Sequence, residues 1–465
     1  MPASPTPLPI TNSTADHNSV FLRRIIATWW PLAASWLLMS AELPALSAVV
    51  ARLAEPEINL AAYGGIVFPL ALIIESPIIM LLAASTALSK DWASYARVRR
   101  FMMSVSAALT ALHVLVAFTP LYDVVARYLL GAPPEIIEPG RVGLRIMLPW
   151  TWSIAYRRFH QGVLIRFGRS GAVGRGTLIR LSANGIVLTI GYLIGSLPGI
   201  VVATSAVTTG VISEALYVAI AVRPVLRGPL RQAPPITPPL TWRAFFSFYI
   251  PLVMTSLISL LASPINSAAL GRMPLSLESL AAWPALSGLV FMLRSVGIAY
   301  NEVVVSMLEK PYSSGHLRRF TRWLIILTSA SVVLITMTPL STLWFGRISA
   351  LKPDLASLAR TGLWFALPLP AMSVLQSWYQ GAILHSKRTR GLTESVVVYL
   401  LTDGAILLAG VAWGKMTGFY VGWMALMAAT LAQTAWLWVR SRPVMRQVAL
   451  RDQPGLLRHK EHGSQ

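Results

Sequence analysis

Twelve stretches of this chain are apolar over the length that crosses a bilayer, and that pattern leaves few folds open to it. A transmembrane helix needs about 20 mostly apolar residues. Such runs lie near 28–50, 60–88, 101–121, 142–165, 177–197, 199–222, 245–270, 280–308, 321–345, 361–384, 395–414 and 417–439. The fold class they predict is an all-α integral membrane protein of 12 transmembrane helices. Composition agrees: 55% of the residues are hydrophobic and 12% charged, where a soluble domain carries about 25% charged residues. The 465-residue chain has no cysteine, which excludes disulfides, thiolate catalysis and Cys-ligated metal.

The net charge is +21, from 39 Lys and Arg against 18 Asp and Glu. In a soluble protein that excess would suggest nucleic acid. Counted loop by loop with the N-terminus inside, 26 basic residues fall on the cytoplasmic side and 8 opposite. The cytoplasmic set includes Lys310, Lys387, Arg388 and, in the tail, Arg458 and Lys460; the opposite set includes Arg52, Arg272 and Lys352. The positive-inside rule then predicts both termini in the cytoplasm of a multi-pass protein of the plasma or inner membrane, with no nucleic-acid partner. Five basic residues, Arg145, Arg157, Arg158, Arg180 and Arg294, fall within or at the ends of spans.

The chain also repeats itself. At an offset of 220, Pro31 meets Pro251, Pro44 meets Pro264, Arg52 meets Arg272, and Leu60-Ala61-Ala62 meets Leu280-Ala281-Ala282. After one residue drops out, an offset of 219 aligns Arg99-Arg100-Phe101 with Arg318-Arg319-Phe320, Gln161-Gly162 with Gln380-Gly381, and Arg223-Pro224-Val225 with Arg442-Pro443-Val444. Each copy holds six spans, so the repeats are parallel and related by an axis along the membrane normal. The expected organisation is a cytoplasmic segment 1–24, an N-lobe 25–222, a Pro-rich cytoplasmic linker 223–243, a C-lobe 244–445 and a basic tail 446–465. Two like bundles about one axis suit alternating access, in which rocking exposes a central site to each side in turn.

Ionisable residues inside a membrane cost on the order of 2.5–3.5 kcal/mol each on insertion scales and usually face a polar interior. Arg294 lies mid-span, too deep to snorkel, with Asn301 and Glu302 farther along its expected face. Arg157, His160 and Gln161 share a face of span 4, and their repeat partners Gln376, Tyr379 and Gln380 are also polar. Arg294, Arg157, Arg158, Gln161, Gln380 and Asn301 are therefore the candidate substrate-binding residues. Glu42, Glu75, Glu302 and Asp403 are the candidates for coupling or charge pairing. Two readings stand for these acids: neutralising a nearby arginine or packing helices, or carrying H+ or Na+ as a coupling ion. No catalytic motif appears, no metal site or cofactor is implied, and a monomer is expected. Guanidinium groups match carboxylate and phosphate in bidentate geometry, so the expected partner in the bilayer is a small anion.

Two six-span repeats, each opening with a Pro-containing helix that ends in "SAVVARL" or "SAALGRM", resemble the MATE-like transporters of the multidrug/oligosaccharidyl-lipid/polysaccharide (MOP) superfamily over about residues 25–445. Within it, "AAYGGIVFPL", "ALHVLVAF", "LPWTWSIAYRRFHQGVLIRFGRS", "SPINSAALGR" and "AYNEV" are most similar to the progressive ankylosis (ANK) family. Resemblance to MATE exporters implies cation or drug efflux driven by H+ or Na+ through a first-lobe acid, for which Glu42, in the first span where such an acid often lies, is the candidate. Resemblance to the ANK family implies export of citrate-, pyrophosphate- or nucleotide-like anions; His160 and Gly162 find like residues in that family's pattern and Asn301-Glu302 resembles its Thr-Glu pair, whereas Arg157, Arg158 and Arg294 have no secure counterpart. A lipid-linked oligosaccharide flippase of the same superfamily is the further alternative. Mid-membrane arginines would repel a cationic drug, so the expectation is an anion transporter.

Overall fold

The computed structural model describes residues 13–308, 312–386 and 390–452, with side chains from residue 22 onward. Lys310, Lys387, Arg388, Arg458, Lys460 and residues 1–12 lie outside the described residues. Helices cover the predicted apolar stretches, with short breaks such as 76–80. The helices are α1 (Ser13–Ser40 and Glu42–Val50), α2 (Pro56–Ala62, a π turn Tyr63–Val67, Phe68–Glu75 and Leu81–Leu88), α3 (Trp92–Phe118), α4 (Pro134–Ile146 and Leu148–Arg166), α5 (Gly171–Ile194) and α6 (Gly199–Arg227). The second half follows as α7 (Trp242–Leu260 and Ala262–Leu270), α8 (Ser276–Ile298 and Tyr300–Leu308), α9 (Ser313–Met337), α10 (Pro353–Ala366 and Leu369–His385), α11 (Arg390–Trp413) and α12 (Gly418–Arg451).

Ten of these helices are long and apolar enough to cross a membrane. The other two, α4 and α12, have the length but are interrupted by polar residues. Arg157, His160 and Gln161 of α4 and Thr430 of α12 are buried in the protein. These side chains face other helices and lower the hydropathy averaged along each of the two.

The duplication is written into the backbone. Helices α1 and α7 break at Ala41 and Leu261, which are 220 residues apart. π turns at Val124–Leu129 and Leu343–Ile348 sit 219 apart. Glu55 and Leu275 both take positive φ, as do Gly131 and Ala350, and Gly195 and Gly414. Equivalent positions even meet each other: a Cβ on Gly64 would fall 2.7 Å from Cγ of Pro284. The pseudo-two-fold axis therefore passes between α2 and α8, and glycine is needed there because the two helices approach so closely.

The halves exchange their first helical pieces. The Trp29 indole of α1 donates to Val296 O on α8 at 3.1 Å and packs edge-on against Phe320 of α9. Its repeat partner Tyr249 on α7 donates to Pro77 O at 2.5 Å and packs edge-on against Phe101 of α3. Ile25 and Val448 share one buried cluster, which puts the start of α1 and the end of α12 on the same side.

The linker 223–243 is tied down by one carboxylate. Asp91 caps α3 by accepting from Ser94 N at 2.9 Å, and its other oxygen accepts from Ile236 N at 3.1 Å. Burial raises the Asp91 pKa, but the bonds from Ser94 and Ile236 outweigh it and hold the carboxyl below the usual carboxylate range. A depressed folded pKa stabilises the fold above the unfolded value of about 3.9, and that contribution is lost as pH falls through the folded value. Asp91→Ala is expected to cost about 1 kcal/mol of stability at neutral pH. Thermal unfolding of the purified protein at pH 7 checks this, and an unchanged midpoint would refute the capping role.

Candidate functional site

Charged and amide side chains from five helices of the first half converge in the buried interior. Glu214 of α6 is fully buried and forms an ion pair with Arg157 of α4 at 2.9 Å. Gln161, one helical turn from Arg157, donates Nε2 to the other Glu214 oxygen at 2.8 Å. Arg180 of α5 bridges two acids, lying 3.6 Å from Glu214 and 3.1 Å from Glu42 of α1. Asn184, a turn beyond Arg180, donates to Glu42 Oε1 at 2.8 Å. Glu75, buried on α2, lies in the field of Arg158 and Arg157 without forming an ion pair to either. Counting formal charges, three acids face three guanidinium groups, so the cluster neutralises itself. Burying such charges is tolerable only when they are paired and hydrogen-bonded.

The second half repeats the plan with the Arg–Glu pair replaced by amides. Where Arg157 meets Glu214, the equivalent Gln376 donates to Gln433 Oε1 at 3.1 Å and to Thr434 Oγ1 at 3.1 Å. Where Glu42 on α1 meets Asn184 on α5, Asn266 on α7 donates to Asp403 Oδ2 on α11 at 2.9 Å. The acid and the amide have exchanged helices. Tyr399 stands at the position of Arg180 and interacts electrostatically with Asp403 and with Arg294 of α8.

These contacts reshape several expectations. Arg157 and Gln161 are turned onto Glu214. Arg157 is held by Glu214 in the first half, whereas Arg294 stands on α8 of the second. The polar stripe expected from Arg294 to Glu302 is interrupted, because α8 breaks at Ala299. Asn301 donates to Ser377 O at 3.4 Å, whereas Glu302 is exposed and has no ion pair among the described residues. Glu75 is placed against the α4 arginines and not against Arg294. Glu42 is already engaged by Arg180 and Asn184. Gln380 is half-buried on α10.

Arg294 remains the unusual group. It is half-buried, its Nε has no hydrogen-bond partner, and no acid pairs with it among the described residues. Arg157, Arg158 and Arg180 also leave their Nε without a hydrogen bond, so what sets Arg294 apart is the missing acid. Sequence reasoning missed Arg180 as the bridge. Its signal was a mid-span arginine one turn from Asn184, which puts both on one helical face. His113 contacts Thr151 Oγ1 at 3.0 Å and Leu144 O at 2.9 Å, and His160 contacts Tyr156 O at 3.0 Å, so both rings are tied to neighbouring helix groups. A Cβ on Gly162 would fall 2.5 Å from Leu82 O, so this glycine lets α4 press against α2.

Two halves of six helices about a pseudo-two-fold axis, with buried polar clusters in both, define the class: a multi-pass membrane protein with the fold of the MATE transporters. The structure of a multidrug resistance MATE family transporter of the MOP superfamily in its inward-facing conformation is similar at TM-score 0.63 and 15% identity, over 92% of this chain and 99% of that one. A point mutant of the Vibrio cholerae MATE transporter VcmN is similar at TM-score 0.62 and 16% identity over 94% and 100%. A MOP superfamily transporter from Pyrococcus furiosus, described as having a binding pocket of reverse polarity, is similar at TM-score 0.55 and 16% identity over 94% and 100%. No protein-family model matches the chain, and no curated protein matches it.

Proposed function

We propose that this chain is a secondary transporter working by alternating access, and that it carries a small organic or phosphorylated anion. The observation that carries the anion reading is Arg294, a membrane-embedded guanidinium with no acid partner among the described residues. An unpaired cation in that setting is costly, and a carboxylate or phosphate ligand would complete it. Arg158, with Nε free beside Glu75, is the second basic candidate. The first-half acid Glu42, which a cation exporter would need free, is engaged by Arg180. The Pyrococcus furiosus transporter of reverse pocket polarity supports a different ligand charge on this fold.

The same reading takes in the twelve-span topology with cytoplasmic termini, the monomer, and a citrate-, pyrophosphate- or nucleotide-like cargo as in the ANK family. A coupling H+ or Na+ would bind at Asp403 or Glu302, which have no basic ion-pair partner among the described residues. Multidrug cation efflux is the second reading, favoured by exposed Glu302 and by the MATE multidrug transporter of like fold.

A thermal-shift screen of the purified protein separates the two. A ligand at 100 times its Kd stabilises the folded state by about 2.7 kcal/mol. Citrate, pyrophosphate or a nucleotide is expected to raise the unfolding midpoint, and cationic dyes to leave it unchanged. Stabilisation by the dyes alone would overturn the anion reading and establish the second.

A further inference from the structure

The two arginines that close the repeated "SAVVARL" and "SAALGRM" segments play no part in the charge clusters, yet they make the same contacts in both halves. Arg52, just beyond α1, donates to Ala48 O at 2.6 Å in its own half. It then crosses to the second half and donates to Arg347 O at 2.6 Å and Ile348 O at 2.9 Å, at the end of the π turn after α9. Arg272, just beyond α7, donates to Ala268 O at 2.6 Å and crosses the other way, to Tyr128 O at 2.6 Å and Leu129 O at 2.9 Å. Those carbonyls end the π turn after α3. Each contact in one half is reproduced in the other at an offset of 219 or 220.

The chemistry of the acceptors explains the choice of arginine. The last carbonyls of a helical turn have no backbone donor and carry the negative end of the helix dipole. The chain turns away immediately afterwards, at Gly131 and Ala350, both with positive φ. The exposed carbonyls therefore point out of their own half, and a planar guanidinium meets two at once with a rigid fork of donors that an ammonium lacks. The halves also touch closely at this edge: a Cβ on Gly271 would fall 2.6 Å from Gly131 O, and Lys352 pairs with Glu57 at 3.0 Å.

We propose that Arg52 and Arg272 are twin latches that hold the two halves shut on the side of the α1–α2 and α7–α8 loops, and that both must release for that side to open. The contacts are to backbone carbonyls, so the latch demands the position of the turn and not the identity of a partner side chain. Because the latches are related by the pseudo-two-fold axis, releasing one leaves the other as a pivot. Their geometry is independent of the cargo.

The absence of native cysteine makes the test direct. Ile194→Cys and Trp413→Cys put spin labels at exposed sites where α5 and α11 end, one on each half. Distances between the labels are measured by pulsed electron resonance on the full chain in lipid nanodiscs. With both latches intact, one short-distance population is expected. Arg52→Ala or Arg272→Ala alone is expected to shift the closed-to-open ratio by about tenfold, as loss of charged hydrogen bonds implies, and the double variant by more than either. Arg52→Lys with Arg272→Lys keeps both charges and stems, so it folds if charge and packing suffice, and it is expected to open part-way. An unchanged distance distribution in the double alanine variant, or in the double lysine variant should the former not fold, would overturn the proposal. No substrate is added, so failure here is separate from failure of the anion reading.

Discussion

Replacing Arg294 by alanine is expected to abolish anion binding while leaving the protein folded. Removing one partner of a desolvated, hydrogen-bonded charge pair costs about 2–5 kcal/mol, much of it from the charge left behind on the ligand. At about 3 kcal/mol the Kd rises by more than a hundredfold. The free protein should lose little stability, because Arg294 has no acid partner to orphan among the described residues. Arg294→Lys keeps the charge but not the planar fork, so binding should be weakened by about tenfold and not lost. Calorimetric titration with whichever anion stabilises the wild type reads both variants. Wild-type affinity in a folded Arg294→Ala protein would remove this residue from the site and with it the main support for the anion reading.

The opposite outcome is expected at Glu214. This carboxylate is fully buried and holds Arg157, Gln161 and Arg180 at once. Its removal leaves buried guanidinium groups uncompensated, and breaking one side of a buried pair costs about 3–5 kcal/mol. Glu214→Ala should therefore lower the unfolding midpoint sharply. The second half supplies the remedy, since the equivalent position holds a Gln376–Gln433 hydrogen bond. The double variant Arg157→Gln with Glu214→Gln should recover most of the loss, because a neutral pair has no charge to desolvate. A double-mutant cycle measures that coupling directly. If the double variant were as unstable as the sum of its single changes, the ion pair would not be the unit of stability here.

Much of this architecture was legible in the residues. Apolar runs located the helices because a bilayer requires them, and the offset of Arg52 to Arg272 and Gln161 to Gln380 exposed the duplication. The break in α1 lies three residues before Pro44, where a helix loses a donor. The pairings were not legible. Arg157 and Glu214 are far apart in sequence, on helices whose facing depends on how six rods pack, and no local pattern encodes that. The break at Ala299 has no proline to announce it, so the face carrying Arg294 was extended to Glu302 when the backbone ends it. Nor could hydropathy show that Trp29 and Tyr249 each bury themselves against the opposite half, since an apolar face does not name its partner.

That exchange of first helical pieces has a consequence for how the molecule is assembled. The two halves embrace like dimer subunits that have traded arms, an arrangement in which each protomer completes the other. The covalent linker then joins parts that packing already interlocks, and the segment from Arg223 to Arg243 sets their stoichiometry and not their grip. A hinge motion between the halves would bend α1 and α7 themselves, because their first pieces reach the opposite half while their second pieces carry Glu42 and Asn266 into the clusters of their own. The breaks at Ala41 and Leu261 stand where that division falls.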